Sequence, residues 1–142
     1  MGQNQAARVR HERTAELASA SSSVTVARHL VRDDLISHGV ASQVIEDALV
    51  VVTELMGNAV RHARPLPTGE SRGRVRLHWC VTEDGLVQVE VTDGGGDGLP
   101  SAESQSLTEV RGRGLAIVNA VADDWGVAAD DHQVTVYAVV GQ

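Results

Sequence analysis

Glu54, Asn58 and His62 recur every four residues, so on a helix they stack along a single face. A carboxylate and an amide oxygen one turn apart have a joint use. Mg2+ takes few protein ligands and fills its shell with phosphate oxygens and water, so the Asn58 carbonyl beside a triphosphate is sufficient to hold it. Glu54 then sits where a carboxylate can accept a proton from an attacking hydroxyl or water. The same spacing also describes a solvated helix surface, and a His at a helix end is commonly a packing or capping group.

Asp93 precedes Gly94-Gly95-Gly96 and falls in phase with Val87, Val89 and Val91, which directs its carboxylate toward an apolar layer. Burying a lone carboxylate is costly unless it is hydrogen-bonded, and a ligand amino group would satisfy it. The glycines permit positive φ and close backbone approach. An Asp that opens a turn by accepting nearby backbone N–H bonds gives the same pattern. Gly112-Arg113-Gly114 runs into a helix expected to begin at Leu115, and the free N–H groups and positive end of such a helix attract phosphate. A glycine hinge before an ordinary helix is the alternative. Either Arg111 or Arg113 can meet a γ-phosphate bidentately. If the chain binds ATP, some such device is required, because all 12 basic residues are arginine: without lysine there is neither a Walker A loop nor a Schiff-base mechanism.

The elements that must hold these residues are legible from periodicity. Residues 1–20 are polar and Ala-rich and read as a flexible N-terminal arm with room for an edge strand; residues 21–142 form one domain. Ser21-Ser22-Ser23 offers helix caps before Val24, Ala27, Leu30, Val31 and Leu35, one face of a helix ending near Gly39. A second helix spans residues 42–63, and Pro65 and Pro67 stop it. Strands alternate around Glu83-Asp84-Gly85, with Val75, Leu77, Trp79 and Val81 on one side and Val87, Val89 and Val91 answering them. Residues 94–111 read as a lid, followed by a short helix over 115–122 and strands near 125–129 and 134–140. The expected fold is an α/β two-layer sandwich: a mostly antiparallel, mixed sheet covered on one face by about three helices.

Composition narrows the function classes. With 142 residues, 42% apolar and 22% charged, the chain suits one globular domain, and no apolar run reaches the ~20 residues that span a bilayer. A cytoplasmic protein with no membrane contact is expected. The net charge of −7 and the lack of any Phe argue against nucleic acid as a direct partner. Cys80 is the single cysteine, which excludes an intrachain disulfide. Arg61, Arg64, Arg72, Arg74 and Arg76 crowd one stretch, either as solvated surface or as a patch for an acidic protein partner.

Taken together, residues 53–63, 91–96 and 111–118 resemble, in order, the N, G1 and G2 boxes of the GHKL ATPases, the superfamily of gyrase, the heat-shock chaperone ATPase, histidine kinases and mismatch-repair ATPases. The resemblance runs over roughly residues 24–140 and is strongest to the small anti-sigma factor/serine-protein kinase branch. It implies the Bergerat, histidine kinase-like ATPase fold, with ATP and Mg2+ as cofactors. Asn58 matches the magnesium-binding asparagine, Glu54 the general base, and Asp93 the carboxylate that binds the adenine amino group. His62, Gly95, Gly96, Arg111, Gly112, Arg113, Gly114 and Leu115 fall in the nucleotide-binding boxes, and Thr135 matches a threonine that contacts adenine through water. A sigma factor, an anti-anti-sigma (STAS-type) protein and a homodimer are the implied partners. The G1 pattern Asp-x-Gly-x-Gly is broken at its last position, Asp97, whose charge would weaken phosphate binding and favours a module with little turnover. His11-Glu12-Arg13-Thr14 looks like a histidine-kinase phosphoacceptor box, but too little chain precedes the pocket to build the dimerising hairpin that such a kinase needs.

Overall fold

The computed structural model describes residues 8–62, 64–67, 73–95 and 112–142; the side chains of His62 and residues 112–114 are not described. In chain order the elements are β1 (Val9–Ala18), α1 (Ser22–Ser37), α2 (Ser42–His62), β2 (Arg74–Thr82), β3 (Val87–Asp93), α3 (Gly112–Val121), β4 (Asp124–Ala129) and β5 (Val134–Val140). The strands form one sheet in the order β1-β2-β3-β5-β4, and all four pairings are antiparallel. This is the two-layer α/β sandwich expected. Among the described residues no helix is long and apolar enough to cross a membrane.

Alternation in β2 and β3 divides the sheet. Val75, Leu77, Trp79 and Val81 of β2 and Val87, Val89 and Val91 of β3 are buried, and they meet Ala27, Val31 and Leu35 of α1 and Val51, Val52, Leu55 and Met56 of α2. The opposite face stays polar. There His78 Nε2 lies 2.9 Å from Glu12 Oε1, Arg76 Nε donates to Glu16 Oε2 at 3.3 Å, and the Thr92 and Thr135 hydroxyls bond at 2.7 Å. Cross-strand pairs of this kind let a sheet leave one side without helices. Cys80 points to that face yet is buried, and burial pushes its thiol pKa up.

One expectation sharpens and one changes. The arm over residues 1–20, read with room for an edge strand, holds such a strand from Val9 to Ala18, ten residues paired with β2. Its alternation was obscured because an edge strand hides few side chains, and most of β1 is exposed. The serines before α1 do not cap it through their side chains: Ser21 has helical angles and no side-chain cap bond, and Ser23 is buried. The other end of α1 closes as its Gly predicts, with Val40 N–H donating to Leu35 O (3.1 Å) and Gly39 N–H to Ile36 O (3.1 Å) at a glycine φ of 72°.

Trp79 is wholly buried, and its indole N–H donates to Asp34 Oδ2 at 2.7 Å, satisfying a donor that would otherwise be stranded under α1. Replacing Leu77, which is fully buried in the centre of the sheet, by Ala should cost about 2–5 kcal/mol. The half-buried His78 beside it should cost far less on the same change. Urea titration of the two variants checks the assignment of faces.

Candidate functional site

Helix α2 packs between α1 and α3 and lies across β3 and β5, so its C-terminal half is enclosed. Met56, Gly57, Asn58 and Ala59 are all buried in succession, which a solvated helix face cannot produce. Asn58 is 3% exposed, and among the described residues its side-chain Nδ2 has no hydrogen-bond partner. A buried amide group left without a partner costs about 1–3 kcal/mol, so a ligand group is the natural complement. A half-turn of the amide exchanges its nitrogen and oxygen, so the position can present a donor or a metal-ligating carbonyl. Glu54, one turn earlier, is half-buried.

Asp93 ends β3 at 1% exposure, as the alternation predicts. Its Oδ1 accepts the Gly95 N–H at 2.7 Å, which is the turn-opening bond open to an Asp before glycines. The turn is joined to the exit of α2 by two backbone bonds: Gly94 N–H donates to Arg64 O (2.6 Å) and Arg64 N–H to Gly95 O (2.7 Å). A Cβ on Gly94 would lie 2.1 Å from Pro65 O, and Gly95 has φ 84°, so the first two glycines are required by packing and by backbone angle. The end of the N-box helix and the G1 turn are thereby held together on the helix-covered side of the sheet.

Several site candidates fall elsewhere. Thr135 does not share the Asp93 side: it pairs with Thr92 on the open face, while the residue opposite Asp93 on β5 is the buried Val134. The strand is apolar on both sides, which is why alternation alone could not orient it. Helix α3 begins at Gly112, three residues before the expected Leu115, so Gly112, Arg113 and Gly114 form its first turn rather than a preceding loop. That turn still carries the unpaired N–H groups of a helix start. The Leu115 side chain is in the core at 3% exposure. His62 closes α2, with its side chain outside the described residues, as are Gly96, Asp97 and Arg111. The arginine group is also divided. Arg74 and Arg76 bond Glu16 on the open sheet face, whereas Arg61 lays its guanidinium against Gly57.

Sequence reasoning missed a second cluster. His11, Arg13, Asp34, His38 and Trp79 converge between β1, the end of α1 and β2. The available signal was Asp34 itself, an acidic residue on the face of Ala27, Val31 and Leu35. His11 lies on a strand, with Nε2 2.7 Å from Asp34 Oδ2.

The chain belongs to the histidine kinase-like ATPase domain family, whose sequence profile matches residues 17–140. No curated protein matches it in a sequence comparison. Among solved structures it is similar to the RsbU and RsbW domains of Rv1364c from Mycobacterium tuberculosis, with 18% identity and a TM-score of 0.69 over 92% of this chain. It spans only 32% of that longer chain. It is also similar to the SiaB-SiaC complex from Pseudomonas aeruginosa, at 16% identity and a TM-score of 0.66, covering 94% of this chain and 90% of that one. At these identities the likeness is one of fold.

Gly94→Ala should destabilise the domain by about 1–3 kcal/mol, because backbone on both sides must move to admit the methyl group. A thermal melt with unchanged midpoint would show that the α2 exit and the β3 turn are not in contact.

Proposed function

We propose that this domain is a Mg-ATP-binding regulatory protein of the anti-sigma factor/serine-threonine protein kinase type. It transfers the γ-phosphate to a hydroxyl of an anti-anti-sigma partner and sequesters a sigma factor. A cytoplasmic location and a homodimer belong to the same proposal. The observation that carries it is Asn58, an amide buried near the C-terminal end of α2 with a polar atom left unpaired among the described residues.

The residues present fit the nucleotide and its metal. Asn58 offers the metal an oxygen, and Asp93 offers the adenine amino group an acceptor. The first turn of α3 offers N–H groups to phosphate. Mg-ATP, when bound, supplies an electrophilic phosphoryl group with part of its charge neutralised. Glu54 is the one carboxylate one turn from Asn58 on the same helix face, and as general base it takes the proton of the acceptor hydroxyl.

A binding module with little turnover is the second reading, favoured by Asp97 in the place of the last G1 glycine, a negative charge close to the phosphates. Calorimetric titration with Mg-ATP separates the cases. Saturable binding is expected, weakened roughly 10-fold or more by Asp93→Asn. Binding absent, or indifferent to that change, removes ATP from the function. Glu54→Ala should keep binding while phosphate transfer to a partner recovered from native cell extract falls at least ~100-fold. Transfer absent from the unaltered protein leaves the binding module. Asn58→Leu should hold or raise the melting point of the nucleotide-free domain, since it removes an unpaired amide, and should abolish the Mg2+ dependence of binding.

A further inference from the structure

His11, Asp34 and His38 share no residue with the nucleotide site, and their donor atoms all lie within 4.8 Å of one another. We propose that they form a second metal site, for a borderline transition-metal cation such as Zn2+, Co2+ or Ni2+, which pins the edge strand β1 to the end of α1.

Two imidazoles and one carboxylate are the donor set of such metals and a poor one for Mg2+ or Ca2+, which require oxygen. His11 Nε2 is 2.7 Å from Asp34 Oδ2, and His38 Nδ1 is 3.6 Å from Asp34 Oδ1. Bonds of about 2.0–2.2 Å to a tetrahedral centre place neighbouring donors roughly 3.4 Å apart, so these two separations bracket what a metal needs. Three protein ligands leave a position for water.

The carboxylate is prepared for the role. Asp34 is 7% exposed, and burial alone would raise its pKa. The Trp79 and His11 hydrogen bonds, with the nearby His11 and His38 imidazoles, outweigh that and hold the group below the ordinary carboxylate range. The Trp79 indole N–H on Oδ2 fixes its orientation, as the outer partners of metal ligands do. Arg10 Nη2 donates to His38 O at 3.0 Å and steadies the turn that carries the third ligand.

Two side chains must move for capture. The His11 and His38 rings are stacked, with centroids 3.6 Å apart and planes 17° from parallel, so their lone pairs do not yet converge. His38 is on the half-exposed turn after α1, where its Nδ1 bonds Asp34 O at 2.9 Å, and a rotation about its Cβ–Cγ bond releases it. The Arg13 guanidinium, 3.6 Å from Asp34 Oδ1 and half exposed, swings into solvent as the metal charge replaces it. Without a metal the same groups remain a hydrogen-bonded latch.

The test uses the full chain without nucleotide. Titration with Co2+ should give a saturable visible ligand-field band at one equivalent, and Zn2+ should displace it and raise the melting point. His11→Ala and His38→Gln should each weaken binding at least ~10-fold with the far-ultraviolet dichroism unchanged, while His29→Ala, on the exposed face of α1, should bind normally. His38→Gln keeps the measurement open if His11→Ala fails to fold. Absence of saturable binding overturns the site, as does full binding by His38→Gln, which would place the metal elsewhere.

Discussion

Two short backbone hydrogen bonds between Arg64 and the Gly94-Gly95 turn hold the two halves of the candidate site against each other. The geometry tolerates no Cβ at residue 94 and demands a left-handed backbone at residue 95. Asp93 can therefore be buried at the end of a strand, because the turn that follows returns an N–H to its carboxylate. That bond offsets part of the cost of sinking the charge.

The sheet separates two kinds of chemistry by its pleat. Its inner face is apolar except where Asp93 closes β3 and where His11 and Arg13 of β1 meet Asp34, and the helices cover it. Its outer face carries Glu12, Glu16, Arg76, His78, Thr92 and Thr135 in cross-strand pairs. Exposed pairs of this kind add little stability individually. What they provide is a face that needs no covering layer, so a chain of this length can hold one sheet with helices on a single side.

Much of this was legible before any coordinates, for identifiable reasons. The long helix α2 is bounded by Pro65 and marked by a strong 3.6-residue period, and the burial of Asp93 follows from its phase with Val87, Val89 and Val91. Thr135 could not be oriented, because β5 is apolar at almost every position and its neighbours on β3 decide which face is inner. The strand β1 was obscured by exposure, since an edge strand with one open side need not alternate cleanly. Helix α3 starts earlier than its apolar pattern, because Gly112 and Gly114 supply no periodicity to read. The His11–Asp34 contact joins residues far apart in sequence, and no local pattern encodes such a meeting.

The position of β1 also bears on the order of assembly. It is the earliest of the described strands, but its partner β2 lies much later in the chain, and the Glu12–His78 bond spans 66 residues. The bond from His11 to Asp34 spans only 23. Closing the shorter loop costs less chain entropy, so β1 can settle on α1 before β2 exists to receive it. A newly synthesised edge strand held in this way is shielded from pairing with another chain during the interval when its backbone is most open to it.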